Sequence, residues 1–145
     1  RELTTPEEVA RMDARGRANT RRVLRIASNM LAGEIAAEAG NYDEALAHLR
    51  EAVDLEDGMG YYEPPPWFAP PRQTLGAVLL ESGAPSAAAQ VFRDDLSDWP
   101  ENGWSLSGLY HALKAAGEED EAQSIRERFE RAWSRADIEL RVSRM

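Results

Sequence analysis

The fold is constrained most by a helix-turn-helix pattern that recurs three times along the 145-residue chain. The three copies align on Gly40, Gly83 and Gly117, and each glycine follows apolar residues spaced three and four apart, as on one face of a helix. The second interval is 34 residues long, whereas the first is 43 and so holds nine additional residues. The pattern therefore predicts an all-α chain of stacked helical hairpins.

Start and stop signals place the individual helices. A leading helix is predicted to begin at Thr5, whose hydroxyl can cap it and which is followed by a proline. The next helix is predicted to end at Gly40, where a glycine permits a left-handed cap. We expect seven helices, the last at about 119–136, with Phe129 and Trp133 covering the final hairpin.

Small residues recur at matching places in the copies. Gly33 and Gly76 lie in the first helix of copies one and two, and Ala45, Ala88 and Ala122 lie in the second helix of the three copies. Because small side chains let two helices approach closely, we expect each hairpin to cross at these residues.

Over about residues 26–136 the chain resembles the tetratricopeptide repeat family, and the most specific part is the run Gly-Asn-Tyr-Asp-Glu-Ala at 40–45. The resemblance implies a right-handed α-solenoid of antiparallel helix hairpins. Two features depart from the family pattern. The first helix of each copy lacks the usual early tryptophan, and Tyr110 stands in copy three where a small glycine is expected.

The predicted organisation is a single domain, 1–145, that forms the C-terminal part of a longer protein, since the chain begins at Arg1 without a methionine. Its parts are a leading helix with the start of the next (1–25), repeat 1 (26–57), an insert loop rich in proline and aromatic residues (58–68), repeat 2 (69–102), repeat 3 with its capping helix (103–136) and a tail (137–145).

Acidic residues outnumber basic ones, 26 to 17, and the net charge is -9. This balance predicts no nucleic acid partner, and the lack of an apolar run of ~18–20 residues predicts no membrane insertion. We expect a soluble segment, in the cytoplasm or the periplasm, while the oligomeric state is open. The charge is uneven, because residues 1–30 carry a net +3 and the remaining 115 a net -12. Without cysteine, the chain has neither disulfides nor thiol chemistry.

The insert loop is the least repeat-like segment. Five prolines within eight residues stiffen it, and four aromatic residues lie within an eight-residue window, at positions 61, 62, 67 and 68. Such a cluster either packs against its own domain or presents a recognition surface. The segment also resembles a Tyr-x-Glu-Pro-Pro-x-Trp loop of a bacterial group of tetratricopeptide proteins, a resemblance that implies no reaction.

The resemblance further implies a concave groove lined by the first helix of each repeat. The groove positions of the family, carried over one by one, and the insert loop at one rim of the groove together give the candidate binding residues. These are Glu34, Glu38, Tyr62, Glu63, Trp67, Arg72, Gln73, Glu81, Trp104, His111 and Lys114. Met30 and Glu34 occupy the positions where some family members use Lys and Asn to hold chaperone C-termini, so that ligand is disfavoured.

These residues favour a non-catalytic scaffold that binds an extended protein or peptide segment in the groove, with no catalytic residue, metal or cofactor. His48 and His111 lie in different repeats, and neither has a second histidine at metal-binding spacing. Two alternatives stay open. One is a small-ligand or enzymatic site where the loop meets the groove, with Glu63 and Arg72 as polar groups. The other is a structural C-terminal scaffold of a larger enzyme.

Overall fold

A computed structural model of the chain describes residues 20–60, 67–138 and 140. This part is all-α, and it contains no β-strand. The helices are α1 (Thr20–Glu38), α2 (Tyr42–Asp57), α3 (Pro71–Glu81), α4 (Pro85–Asp98), α5 (Gly103–Ala116) and α6 (Glu119–Ala132). The predicted leading helix at Thr5 lies outside the described residues. By their internal contacts the residues divide into two compact units, Arg1–Pro71 and Arg72–Met145.

In the first unit, α1 and α2 form an antiparallel hairpin. The start of α1 meets the end of α2, where Arg22 donates to Gly58 O. Further along α1 the partners lie progressively earlier in α2, since Arg25 lies 2.5 Å from Glu51 and Asn29 lies 2.9 Å from His48 Nδ1. The helices touch closely at Gly33, where an added Cβ would lie 2.7 Å from Leu49 Cγ. The predicted close crossing at Gly33 is confirmed.

The turn between α1 and α2 depends on Gly40. Its φ is +76°, in the left-handed region that side chains with a Cβ rarely adopt. The amide of Gly40 donates to Ala37 O, and the next amide donates to Ala36 O, which closes the end of α1. Gly83 and Gly117 have the same backbone conformation after α3 and α5. The three glycines that align the repeats are therefore the turn glycines, as predicted.

In the second unit, Phe92 of α4 is the centre of the packing. Its side chain is fully buried, and its ring lies against Gly76 of α3 on one side and Gly108 of α5 on the other. A Cβ at Gly76 or Gly108 would come within 2.5 or 2.3 Å of the ring. Copy three thus approaches its neighbour through Gly108, two residues before Tyr110, and this close approach holds α3, α4 and α5 together.

The last hairpin is covered as expected, although its helix is shorter than expected. α6 ends at Ala132 rather than near 136. Trp133 leaves the helical conformation, with φ −94° and ψ 2°, and the amides that follow donate three residues back instead of four, as from Ala136 to Trp133 O at 3.0 Å. The Trp133 ring stacks on Phe129 and packs over Gly103 of α5, where an added Cβ would lie 2.2 Å away. Only a glycine leaves room for the indole there.

Candidate functional site

The helix that displays most of the predicted binding residues is α5. Trp104, Ser107, His111 and Lys114 recur along it at three and four residue spacing and so share one side of the helix. His111 and Lys114 are exposed, Trp104 is half-buried and Ser107 is buried. We call Trp104, His111 and Lys114 the α5 face. The structure places these three predicted residues on one side of α5, with the buried Ser107 between Trp104 and His111.

The α5 face is held rigidly from behind. The opposite side of α5 places fully or nearly fully buried apolar side chains in the core: Leu106, Leu109, Ala112 and Leu113. At the start of the helix, the Asn102 side chain accepts a hydrogen bond from the Trp104 amide at 2.9 Å. The Trp104 and Trp133 rings pack in a T-shaped arrangement, with centroids 6.5 Å apart. Because backbone and ring are both fixed, little conformational entropy is lost if this surface binds a partner.

The electrostatic character of the α5 face comes from Lys114 and His111. The Lys114 ammonium lies 6.0 Å from the centroid of the Tyr110 ring, and the Tyr110 and His111 rings are 5.0 Å apart. Partial shielding from water lowers the pKa of His111 below its usual 6.5, and the positive charge of Lys114 lowers it further. At neutral pH the imidazole is therefore uncharged, and Lys114, the only lysine of the chain, carries the cation of this face.

Gln73 was expected to be accessible on the floor of the groove, but it is buried. Its side chain is 7% exposed, and its amide donates to the buried carboxylate of Asp95 on α4. Ser105 of α5 donates its hydroxyl to the same carboxylate. We call Gln73, Asp95 and Ser105 the buried polar cluster. Gln73 therefore links α3 to α4 inside the unit, and we leave it out of the binding surface.

Sequence reasoning missed Asp95, although the repeat alignment contains a signal for it. Asp95 stands at the position, counted from the turn glycine, that copy one fills with Ala52. Ala52 is fully buried, and Asp95 is 2% exposed. A carboxylate aligned with a buried methyl group indicates an internal polar contact, because a buried charge needs hydrogen-bond partners.

The other predicted residues are spread over both units. In the second unit, Arg72 is half-buried and Glu81 is exposed at the end of α3. In the first unit, Glu34 is half-buried and Glu38 is exposed near the end of α1. Tyr62 and Glu63 lie outside the described residues, so the alternative small-ligand site that uses Glu63 has no described geometry.

The described end of the insert loop has one aromatic residue inside and one outside. Trp67 is half-buried, and its Nε1 is buried without a hydrogen-bond acceptor among the described residues. Phe68 is 78% exposed, and its ring is tilted against that of Trp67 with centroids 5.2 Å apart. Internal packing fits the half-buried Trp67, whereas a recognition surface fits the exposed Phe68. Neither alternative alone therefore accounts for both rings.

A separate crevice of about 260 Å³ lies between α4 and α6. Its apolar floor consists of Leu96, Leu109 and Ile125. The two arginines at its rim are engaged: Arg93 donates to both carboxylate oxygens of Glu121, and Arg128 donates to Pro100 O at 2.7 Å. None of the predicted binding residues lines this crevice.

Comparisons with models of known families, with curated proteins and with solved structures find no match for this chain. The tetratricopeptide resemblance thus remains a prediction. Across the described ranges, no group of three or more His, Cys, Asp or Glu side chains is arranged to hold a metal ion. The helices described here are also too short or too polar to cross a bilayer.

Proposed function

We propose that this chain is a non-catalytic interaction module whose α5 face binds an extended peptide or protein segment. The observation that carries the proposal is an exposed cation, an imidazole and a half-buried indole on one side of a helix whose other side is fixed in the core. Exposed groups of this kind on a rigid helix are typical of peptide recognition, in which one aromatic anchor and one charged contact set the register.

The spacing along α5 defines the segment that fits. Trp104 and Lys114 are ten residues apart, which corresponds to about 15 Å along a helix axis. An extended peptide advances about 3.3 Å per residue, so the same distance corresponds to about four to five peptide residues. We infer that the preferred ligand carries an apolar side chain for Trp104 and, four or five residues away, an acidic side chain for Lys114.

Selection from a library of random displayed peptides tests this proposal. The expected result is enrichment of peptides that contain an acidic residue four or five positions from an aromatic or aliphatic one. In titrations with an enriched peptide, Lys114→Glu should weaken binding about tenfold, because it replaces an attraction with a repulsion. The matched control is Arg131→Glu, the same charge reversal at an exposed residue in the last turn of α6.

The proposal fails if the enriched peptides show no preference for acidic residues, or if Lys114→Glu and Arg131→Glu change the affinity equally. A second measurement uses His111. As the pH falls below 6.5 and through the lowered pKa, this imidazole gains a positive charge beside Lys114. Affinity for the acidic peptide should rise about threefold, and His111→Gln should abolish that rise.

A further inference from the structure

The outer face of α1 is apolar and exposed. The exposed fractions of Leu24, Leu31 and Ile35 are 45%, 63% and 61%, and Ser28 is exposed on the same side. The spacing of four, three and four residues from Leu24 to Ile35 is that of a helix-pairing seam. The inner side of α1 is already used, since Ile26, Met30, Gly33 and Ala37 are buried. α1 therefore carries a second apolar stripe in addition to the one it buries in its own unit.

Charged residues continue the same spacing at both ends of the stripe, with Arg21 three residues before Leu24 and Glu38 three residues after Ile35. Both are exposed. We call the resulting row the α1 seam; it consists of Arg21, Leu24, Ser28, Leu31, Ile35 and Glu38. The spacing is the same when the seam is read from either end. Arg21 corresponds to Glu38, Leu24 to Ile35 and Ser28 to Leu31. The seam is therefore complementary to its own reversed copy.

We propose that the α1 seam binds a second copy of this chain, with the two α1 helices antiparallel about a two-fold axis. In this register Leu24 meets Ile35 of the second copy, and Ser28 meets Leu31 of the second copy. Arg21 meets Glu38 of the second copy, so opposite charges close both ends. The same patch serves both partners, as in the commonest type of symmetric dimer.

Charge decides the direction of the pairing. A parallel arrangement would place Arg21 on Arg21 and Glu38 on Glu38, which is repulsive, whereas the antiparallel one pairs opposite charges and also opposes the two helix dipoles. Arg21 and Glu38 take part in further interactions within the chain, and the pairing adds to these. One helix pair is a small interface, so we expect dissociation constants of about 10–100 µM.

Sedimentation equilibrium of the full 145-residue chain between about 1 µM and 1 mM tests the dimer. Leu31→Glu buries a charge in each half of the symmetric interface and should raise the dissociation constant on the order of 100-fold or more. The matched control is Ala47→Glu, which adds the same charge to an exposed position of α2 in the same unit and should leave the mass distribution unchanged. A wild-type chain that stays monomeric up to 1 mM overturns the proposal.

Charge exchange tests the ends of the seam. Arg21→Glu and Glu38→Arg should each weaken the dimer several-fold, and the double variant should recover most of the loss because the opposite pairs are restored in reverse. A double variant that is weaker than both single variants contradicts the antiparallel register.

The absence of cysteine makes the register directly measurable. Leu24→Cys and Ile35→Cys proteins are mixed and treated with a short bismaleimide. Crosslinks between the two different variants are expected, since residues 24 and 35 face each other across the axis. Two copies of residue 24 lie about 16 Å apart along the helices, so Leu24→Cys should not crosslink to itself. Efficient crosslinking of Leu24→Cys to itself would establish a parallel pair and overturn the proposal.

Discussion

At the scale of single residues, the buried carboxylate of Asp95 is the most unusual feature. It accepts hydrogen bonds from Ser105 and Gln73, and so it joins three helices of the second unit. Burial raises the pKa of Asp95 above its usual 3.8, and this effect outweighs the two hydrogen bonds and the charge of Arg72, which act in the opposite direction. The native state therefore holds the Asp95 proton more tightly than the unfolded chain does.

This raised pKa predicts how Asp95→Asn changes stability with pH. Because the native state favours protonated Asp95, the stabilising contribution is fully present below about pH 3.8 and is lost as the pH rises through the raised pKa. Asparagine stays neutral, so the wild type should lose stability relative to Asp95→Asn between pH 4 and pH 7. Urea unfolding of both proteins at each pH gives the difference between their free energies of unfolding. The other carboxylates titrate in both proteins, so their contributions cancel in this difference.

The control for this prediction is Asp94→Asn, a change to an exposed carboxylate on the same helix. An equal change with pH in both variants, each relative to the wild type, would mean that the trend does not arise from the burial of Asp95. The prediction is wrong if the free energies of unfolding of the wild type and Asp95→Asn differ by a constant amount from pH 4 to pH 7. The pKa of Asp95 would then be the same in the native and unfolded states.

At the scale of elements, the end of α6 depends on one side chain. Trp133 packs over Gly103, stacks on Phe129 with centroids 6.0 Å apart and donates its Nε1 hydrogen to Ile138 O at 2.9 Å. It also meets Trp104 of the α5 face. A single indole therefore joins the start of α5, the end of α6 and the chain that follows.

Trp133→Ala should lower the free energy of unfolding by about 2–3 kcal/mol, since it removes a half-buried indole and leaves a cavity above Gly103. Urea unfolding followed by circular dichroism measures the loss. Trp99→Ala is the control, because Trp99 is 46% exposed at the end of α4, and its loss should be below about 1 kcal/mol. Equal losses for the two variants would show that Trp133 is not what secures the end of α6.

At the scale of the whole molecule, the second unit contains its own core. Phe92, Leu106 and Leu113 are fully buried, and the contacts between α4 and α5 and between α5 and α6 lie within this unit. In repeat proteins, stability comes mainly from contacts between neighbouring elements. The helices from α3 to α6 thus form a continuous set of neighbouring contacts.

A chain of residues 70–145 should therefore fold by itself and unfold cooperatively, with a stability of about 3–5 kcal/mol, as expected for a unit of this size. Circular dichroism during urea unfolding measures this, and Phe92→Ala in the same chain should abolish the transition. A gradual loss of helix without a cooperative transition would mean that the core needs residues of the first unit.

The amino-acid sequence by itself determined the described helices and their turns. Apolar spacing placed α1 to α6, and Gly40, Gly83 and Gly117 marked the turns, because helix formation and a positive φ depend on interactions within a few residues. The leading helix and the tetratricopeptide assignment remain predictions.

Only the tertiary structure decided which face of each helix meets the core. Leu31 and Ile35 are apolar residues of α1 just as Ile26 and Met30 are, yet the first two are exposed and the last two are buried. Gln73 was predicted at a surface and lies beside Asp95 instead. Burial depends on neighbours that are distant along the chain, as Asp95 is from Gln73, 22 positions before it. Local spacing carries no information about such neighbours.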